Sequence, residues 1–154
     1  MVRFGSKKGN AIRGTKIQVE GLKGISFTAS VRGKRGRFHL PTAGLANASN
    51  ALAAIAVADH FGIPLSKMPQ ALRRFYGEHQ RMEIVHLPHG IDLIDDSYNA
   101  NPDSMREALN YLRLAAGARR KIAILGEMLE LGSGASSAHR ELGRLAACSK
   151  VDLL

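Results

Sequence analysis

The sequence predicts an α/β chain in two parts, with β hairpins and helices over residues 1–80 and the opening of a parallel-sheet domain over 81–154. Three observations carry this prediction. Glycine-punctuated strand-like stretches fill the first 40 residues, the apolar period then becomes helical, and beyond residue 82 strand and helix patterns alternate.

In chain order, residues 16–20, 24–31 and 37–40 read as strands, separated by turns at Gly21, Gly33 and Gly36. Residues 47–61 are apolar at nearly every helical position, including Leu52, Ile55, Ala56 and Val57, which predicts a helix buried on most sides. Gly62 stops it. Ser66 is placed to cap a second helix over 67–75, where Met68, Ala71, Leu72 and Phe75 recur at spacings of three and four. Strands over 82–87 and 91–95, a helix over 104–116, a strand over 121–125, a helix over 136–147 and a strand over 151–154 follow, and their alternation predicts a parallel sheet with right-handed crossovers. The helix start at Asn101-Pro102-Asp103 is the best specified, with a capping amide, a proline at the first helical position and an acid in the first turn. The domain boundary is expected between 77 and 81. A sheet that stops after the 151–154 segment is expected to be incomplete.

Composition narrows the function. With 154 residues, 45% hydrophobic and 23% charged, the chain can bury one ordinary core or two small ones. The longest apolar stretch, 51–58, is far short of the roughly 20 residues that span a bilayer, and the first residues start no signal-peptide pattern. The single Cys148 has no internal disulfide partner and sits in an apolar helical setting that predicts a packed thiol. A reducing cytoplasm is the expected location.

The formal charge of +9 raises nucleic-acid binding as a hypothesis. The excess is concentrated between Arg3 and Arg37, where ten basic residues face the single acid Glu20, and no aromatic platform is interleaved with them. A solvated basic face is the preferred reading, with no nucleic-acid partner. The six histidines show no metal-ligand spacing, and Ser97 has neither a histidine partner nor the glycines of a nucleophile elbow.

The chemistry is concentrated in residues 94–102, Ile-Asp-Asp-Ser-Tyr-Asn-Ala-Asn-Pro, where a strand ends in two carboxylates and a polar loop before entering a helix. Ligands of open α/β sheets bind beyond the carboxyl ends of strands. Turn and capping chemistry would account equally well for Asp95 and Asn101.

Asp95 to Pro102, followed by Ser104-Met105 and Ala108-Leu109, resembles the start of the C-terminal domain of Mur ligases of the MurF type. Residues 123–132 (Ala-Ile-Leu-Gly-Glu-Met-Leu-Glu-Leu-Gly) and His139-Arg140-Glu141-Leu142-Gly143 resemble the strand, loop and helix that follow in that family. Upstream, Gly44 to Ala54 is similar to the family's motif of two asparagines three apart, which on a helix share one face.

The resemblance implies the end of the central ATP-binding domain over 1–80 and the start of a Rossmann-like C-terminal domain over 81–154. It implies an ATP-dependent ligase of peptidoglycan synthesis that adds D-alanyl-D-alanine to UDP-N-acetylmuramoyl-tripeptide through an acyl phosphate, with ATP and Mg2+ as cofactors and a monomeric parent. By the same resemblance, Asn47 and Asn50 line the nucleotide side and Arg81 binds phosphates near the domain junction. Asp96, or alternatively Asp95, is the family's acidic position, Tyr98, Asn99 and Asn101 flank adenine or ribose, and the 127–132 loop neighbours the dipeptide. The family has a histidine where Ala46 stands, a glycine where Gln80 stands and an aspartate where Glu127 stands. No Gly-Lys-Ser or Gly-Lys-Thr ends a glycine-rich loop in these 154 residues, so the phosphate loop, the Mg2+ ligands and the UDP-sugar domain are expected before Met1. Two alternatives stay open: a stand-alone nucleotide-binding module and a basic nucleic-acid-binding protein.

Overall fold

The computed structural model describes residues 2–154. The chain forms two compact units, Met1–Gly77 and Glu78–Leu154.

In the first unit β1 (Phe4–Gly5), β2 (Ile12–Val19), β3 (Ile25–Val31) and β4 (Lys34–Leu40) form one sheet in that order. β1 lies parallel to β2, and β2, β3 and β4 are successively antiparallel. β2 begins before the predicted 16–20 strand, with Gly14 paired opposite Ala29, and β4 begins before the predicted 37–40 strand because Gly36, which reads as a turn, is paired opposite the same residue. Gly14 has a packing role, since a Cβ built there would lie 2.6 Å from Leu52 Cδ1. Gly24 is required for two reasons. Its φ is 111°, and a Cβ would sit 2.0 Å from the Leu40 carbonyl oxygen.

The helix α1 (Ala46–His60) covers the sheet through Ala48, Ala51, Leu52, Ile55 and Ala56. That is one stripe rather than burial on most sides, and Val57 is 57% exposed. The alanines between the stripe positions made the whole circumference read as apolar without needing burial. Within the core, Phe27 and Phe38 are cross-strand partners whose rings stack 5.3 Å apart. The helix predicted over 67–75 is short, α2 (Met68–Leu72), and no side chain caps it, so Ser66 does not take the role expected of it. Met68 alone of its predicted apolar face is fully buried, while Ala71 and Phe75 are exposed.

In the second unit β5 (Glu83–Leu87) and β6 (Ile91–Asp95) pair antiparallel through a turn in which His89 and Gly90 both have positive φ. The helices α3 (Pro102–Ala115) and α4 (Ala135–Cys148) follow. Met105 and Leu109 of α3 meet Leu142 and Ala146 of α4, with Ala123 and Met128 completing the core. Tyr111 is also buried, which pushes its hydroxyl pKa up to about 12. Of the parallel sheet expected from the alternation over 82–154, the described residues show one parallel bridge, Ile122 opposite Leu153, and the segments predicted as strands over 121–125 and 151–154 form no further ladder. Ala123 N–H donates to Leu153 O at 2.9 Å, and Asp152 N–H donates to Lys121 O at 2.8 Å. Cys148 is exposed rather than packed, because the stripe of α4 that faces the core is set by Leu142 and Ala146.

Candidate functional site

In the second unit, β6 ends at Asp95 and the chain runs through Asp96, Ser97, Tyr98, Asn99 and Ala100 to the cap of α3. Asn101 accepts from the backbone N–H groups of Asp103 (3.0 Å) and Ser104 (2.9 Å), and Ser104 Oγ accepts in return from Asn101 N–H at 3.1 Å. These bonds satisfy donors that a helix start leaves open. Asn99 Oδ1 accepts from Ala100 N–H at 2.9 Å. The start of the helix and the shape of the loop are therefore fixed by the loop's own amides.

The two carboxylates at the end of β6 are held differently. Asp95 accepts from Ser97, with the backbone N–H at 3.0 Å, and this hydrogen bonding lowers its pKa below the usual carboxylate range. Asp96 is pushed the other way, chiefly because burial disfavours its charged form, against the opposing pull of the Met82 N–H that it accepts at 3.0 Å and of Arg81. Two adjacent acids thus have opposite proton preferences.

Arg81 joins this loop from the other side. Its guanidinium lies over the Tyr98 ring, 4.0 Å from the centroid, and Tyr98 N–H donates to Gln80 O at 3.2 Å. The turn that presents Arg81 has Gln80 and Met82 at φ of 57° and 53°. Such backbone is costly for residues other than glycine. Glu83 offsets the cost by accepting from Gln80 N–H at 3.1 Å and from His79 Nδ1 at 2.6 Å. His79 and Glu83 are the residues that the sequence reading missed. Nothing in the string Glu78-His79-Gln80-Arg81 advertises positive φ, so no sequence signal marks them.

The other predicted residues lie in the first unit. Asn47 and Asn50 share one face of α1, as their spacing requires, and Asn50 Nδ2 donates to Asn47 Oδ1 at 3.1 Å. Asn47 Nδ2 donates to Ala43 O at 2.7 Å. The pair is a coupled amide ladder anchored to the loop before the helix, with Asn50 exposed.

The 127–132 loop is pinned through Met128. His139 on α4 accepts the Met128 N–H at Nε2 (3.1 Å) and lies 2.8 Å from the Ala135 carbonyl through Nδ1. Among the described residues no cluster of three His, Cys, Asp or Glu side chains is arranged to hold a metal ion. No helix of the described chain is long and apolar enough to cross a membrane.

A guanidinium on an aromatic face beside a carboxylate can bind a phosphate and stack a planar ring. Residues 80–154 match the family described as Mur ligase, glutamate ligase domain. The chain is 34% identical over 130 residues to the "UDP-N-acetylmuramoyl-tripeptide--D-alanyl-D-alanine ligase" of Bacillus subtilis, covering 84% of this chain and 28% of that protein. It is 36% identical over 143 residues to the protein of the same name from Mycobacterium bovis, covering 90% of this chain and 28% of that one. Among solved structures, MurF from Acinetobacter baumannii superposes with a TM-score of 0.83 at 30% identity, over 97% of this chain and 32% of that one. MurF from Thermotoga maritima, solved in complex with ADP, shares the fold at a TM-score of 0.79 and 20% identity, over 92% of this chain and 32% of that one. The chain spans between a quarter and a third of the length of these relatives.

Proposed function

Because this chain belongs to the Mur ligase family, we propose that it is the part of a MurF-type ligase that joins the end of the central ATP-binding domain, residues 1–80, to the start of the C-terminal domain, residues 81–154. The whole enzyme, in this reading, acts in peptidoglycan synthesis in the cytoplasm as a monomer. It forms an amide between the carboxylate of UDP-N-acetylmuramoyl-tripeptide and the amine of D-alanyl-D-alanine through an acyl phosphate. ATP, when bound, supplies the phosphoryl group that activates the carboxylate. Mg2+ belongs to the same reaction, and no cluster of three His, Cys, Asp or Glu side chains among the described residues is arranged to hold it.

The residues of this chain bind and orient. Asn47 and Asn50 present amides toward the nucleotide from α1. Arg81 meets phosphate oxygens and Tyr98 offers a ring face to the base, while Asp95, Asp96 and Asn99 shape the polar edge near the ribose. Asn101 acts through the helix cap that fixes this loop. The 127–132 loop, held by His139, neighbours the dipeptide.

The observation that carries this reading is the Arg81 guanidinium seated on Tyr98 beside Asp96, within the segment that matches the family. Since no Gly-Lys-Ser or Gly-Lys-Thr ends a glycine-rich loop in the 154 residues, the test on this chain is binding rather than turnover. ADP titrated into the chain should shift the amide resonances of Asn50, Arg81 and Tyr98 saturably. Arg81→Ala and Asn47→Ala should each weaken that binding at least about fivefold, the scale of one lost hydrogen bond. Equal ADP affinity in both variants and the parent chain would sink the assignment.

A further inference from the structure

The first unit contains a cleft of ≈ 470 Å³ between the outer face of the sheet and α2. This is within the range of about 300–1,000 Å³ typical of small-ligand pockets. None of its lining residues belongs to the nucleotide residues named above. Arg37 of β4 and Arg73, immediately after α2, both line it, and neither side chain has an ion-pair partner among the described residues. The one acid in the cleft, Glu20, is already engaged: Ser26 hydrogen-bonds it, His39 Nδ1 lies 3.4 Å from its Oε2, and the Arg37 charge acts on it from farther off. Ser26 is only 4% exposed, so this side of the cleft is a built wall rather than a mobile surface.

Arg37 and Arg73 come from different elements to line one concave space, where their two positive charges outnumber the single carboxylate of Glu20 and leave an excess that favours a bound anion. Arginine's planar fork suits phosphate oxygens, and Gln70 on the same wall adds an amide donor. We propose that this cleft is a second anion site, taking a phosphate-bearing small molecule between Arg37 and Arg73. The proposal goes beyond the nucleotide reading and does not depend on it. The volume exceeds that of a bare phosphate ion, so a phosphate monoester fills the cleft better than inorganic phosphate does.

The test is a titration of the 154-residue chain with inorganic phosphate and with phenyl phosphate at constant ionic strength, followed by amide chemical shifts. Saturable shifts are expected at Ser26, His39 and Gln70, with phenyl phosphate binding more tightly. Arg37→Gln and Arg73→Gln should each weaken binding at least fivefold, whereas Arg35→Gln, on the same strand but outside the cleft, should leave it within twofold. If a variant at Arg37 or Arg73 does not fold, the shift map of the unaltered chain decides. Shifts spread evenly over Arg32, Lys34 and Arg35, or an equal loss in Arg35→Gln, would overturn the proposal by showing non-specific screening of a basic face. Equal binding of acetate at matched ionic strength would likewise overturn the phosphate assignment.

Discussion

The guanidinium of Arg81 lies over the face of the Tyr98 ring, 4.0 Å from its centroid, although seventeen positions separate the two in the chain. Both side chains are exposed, so the contact should couple them by about 0.5–1 kcal/mol. A double-mutant cycle with Arg81→Ala and Tyr98→Leu, read by urea unfolding, measures that coupling. Additive effects of the two changes would show that the contact does not persist in solution.

Asn101 should behave as a structural cap whatever it does for a ligand. Asn101→Ala should cost about 1 kcal/mol and Asn101→Gly only a few tenths, since glycine reaches the cap backbone without strain. The two variants compared by denaturant midpoint separate capping from any loss of ligand contact.

Asp96 makes a signed prediction about pH. Its pKa is raised in the folded chain, chiefly by burial, so between the unfolded and folded pKa values the native state holds more protons than the unfolded state. Stability then falls as pH rises through that window. Asp96→Asn, which keeps an oxygen for the Met82 N–H, should flatten the decline. Asp92 has the opposite sign: hydrogen bonds from His86 and then Arg119 lower its pKa, so its contribution is present at higher pH and is lost as pH falls through its folded value. Identical pH profiles for the parent chain and Asp96→Asn would contradict the assignment.

His139 uses both ring nitrogens, one toward Met128 and one toward Ala135. His139→Leu should expose the Met128 amide to faster hydrogen exchange and cost about 1 kcal/mol, while His139→Gln should recover part of the protection by accepting the same N–H. Unchanged exchange at Met128 in His139→Leu would mean that the loop is held by its packed side chain alone.

These contacts also separate what the sequence makes legible from what it hides. The cap at Asn101 and the strand entering Asp95 could be read directly, because local hydrogen bonding and apolar runs decide them. The Asn47 and Asn50 pair followed from helical spacing. The turn that carries Arg81 could not be read, because positive φ at Gln80 and Met82 is imposed by Glu83, His79 and the Asp96 carboxylate rather than by a turn-forming residue. Gly36 misleads for the converse reason: it reads as a turn but is paired within the sheet, and Gly14 likewise stands inside a strand, where only the position of Leu52 makes it intelligible. α1 is less buried than its composition suggests because alanine counts as apolar wherever it stands.

The stacked pair Phe27 and Phe38 reaches further than the core that contains it. Arg37 and His39 flank Phe38 on β4, and side chains alternate along a strand, so the same pairing that turns Phe38 inward turns both neighbours toward the cleft. A slip of one residue between β3 and β4 would bury a guanidinium and empty the cleft together. The hairpin's alignment is thus a shared inheritance of core and surface, and a change that shifted the register of the aromatic pair would alter the charge displayed on the opposite face without touching a residue there.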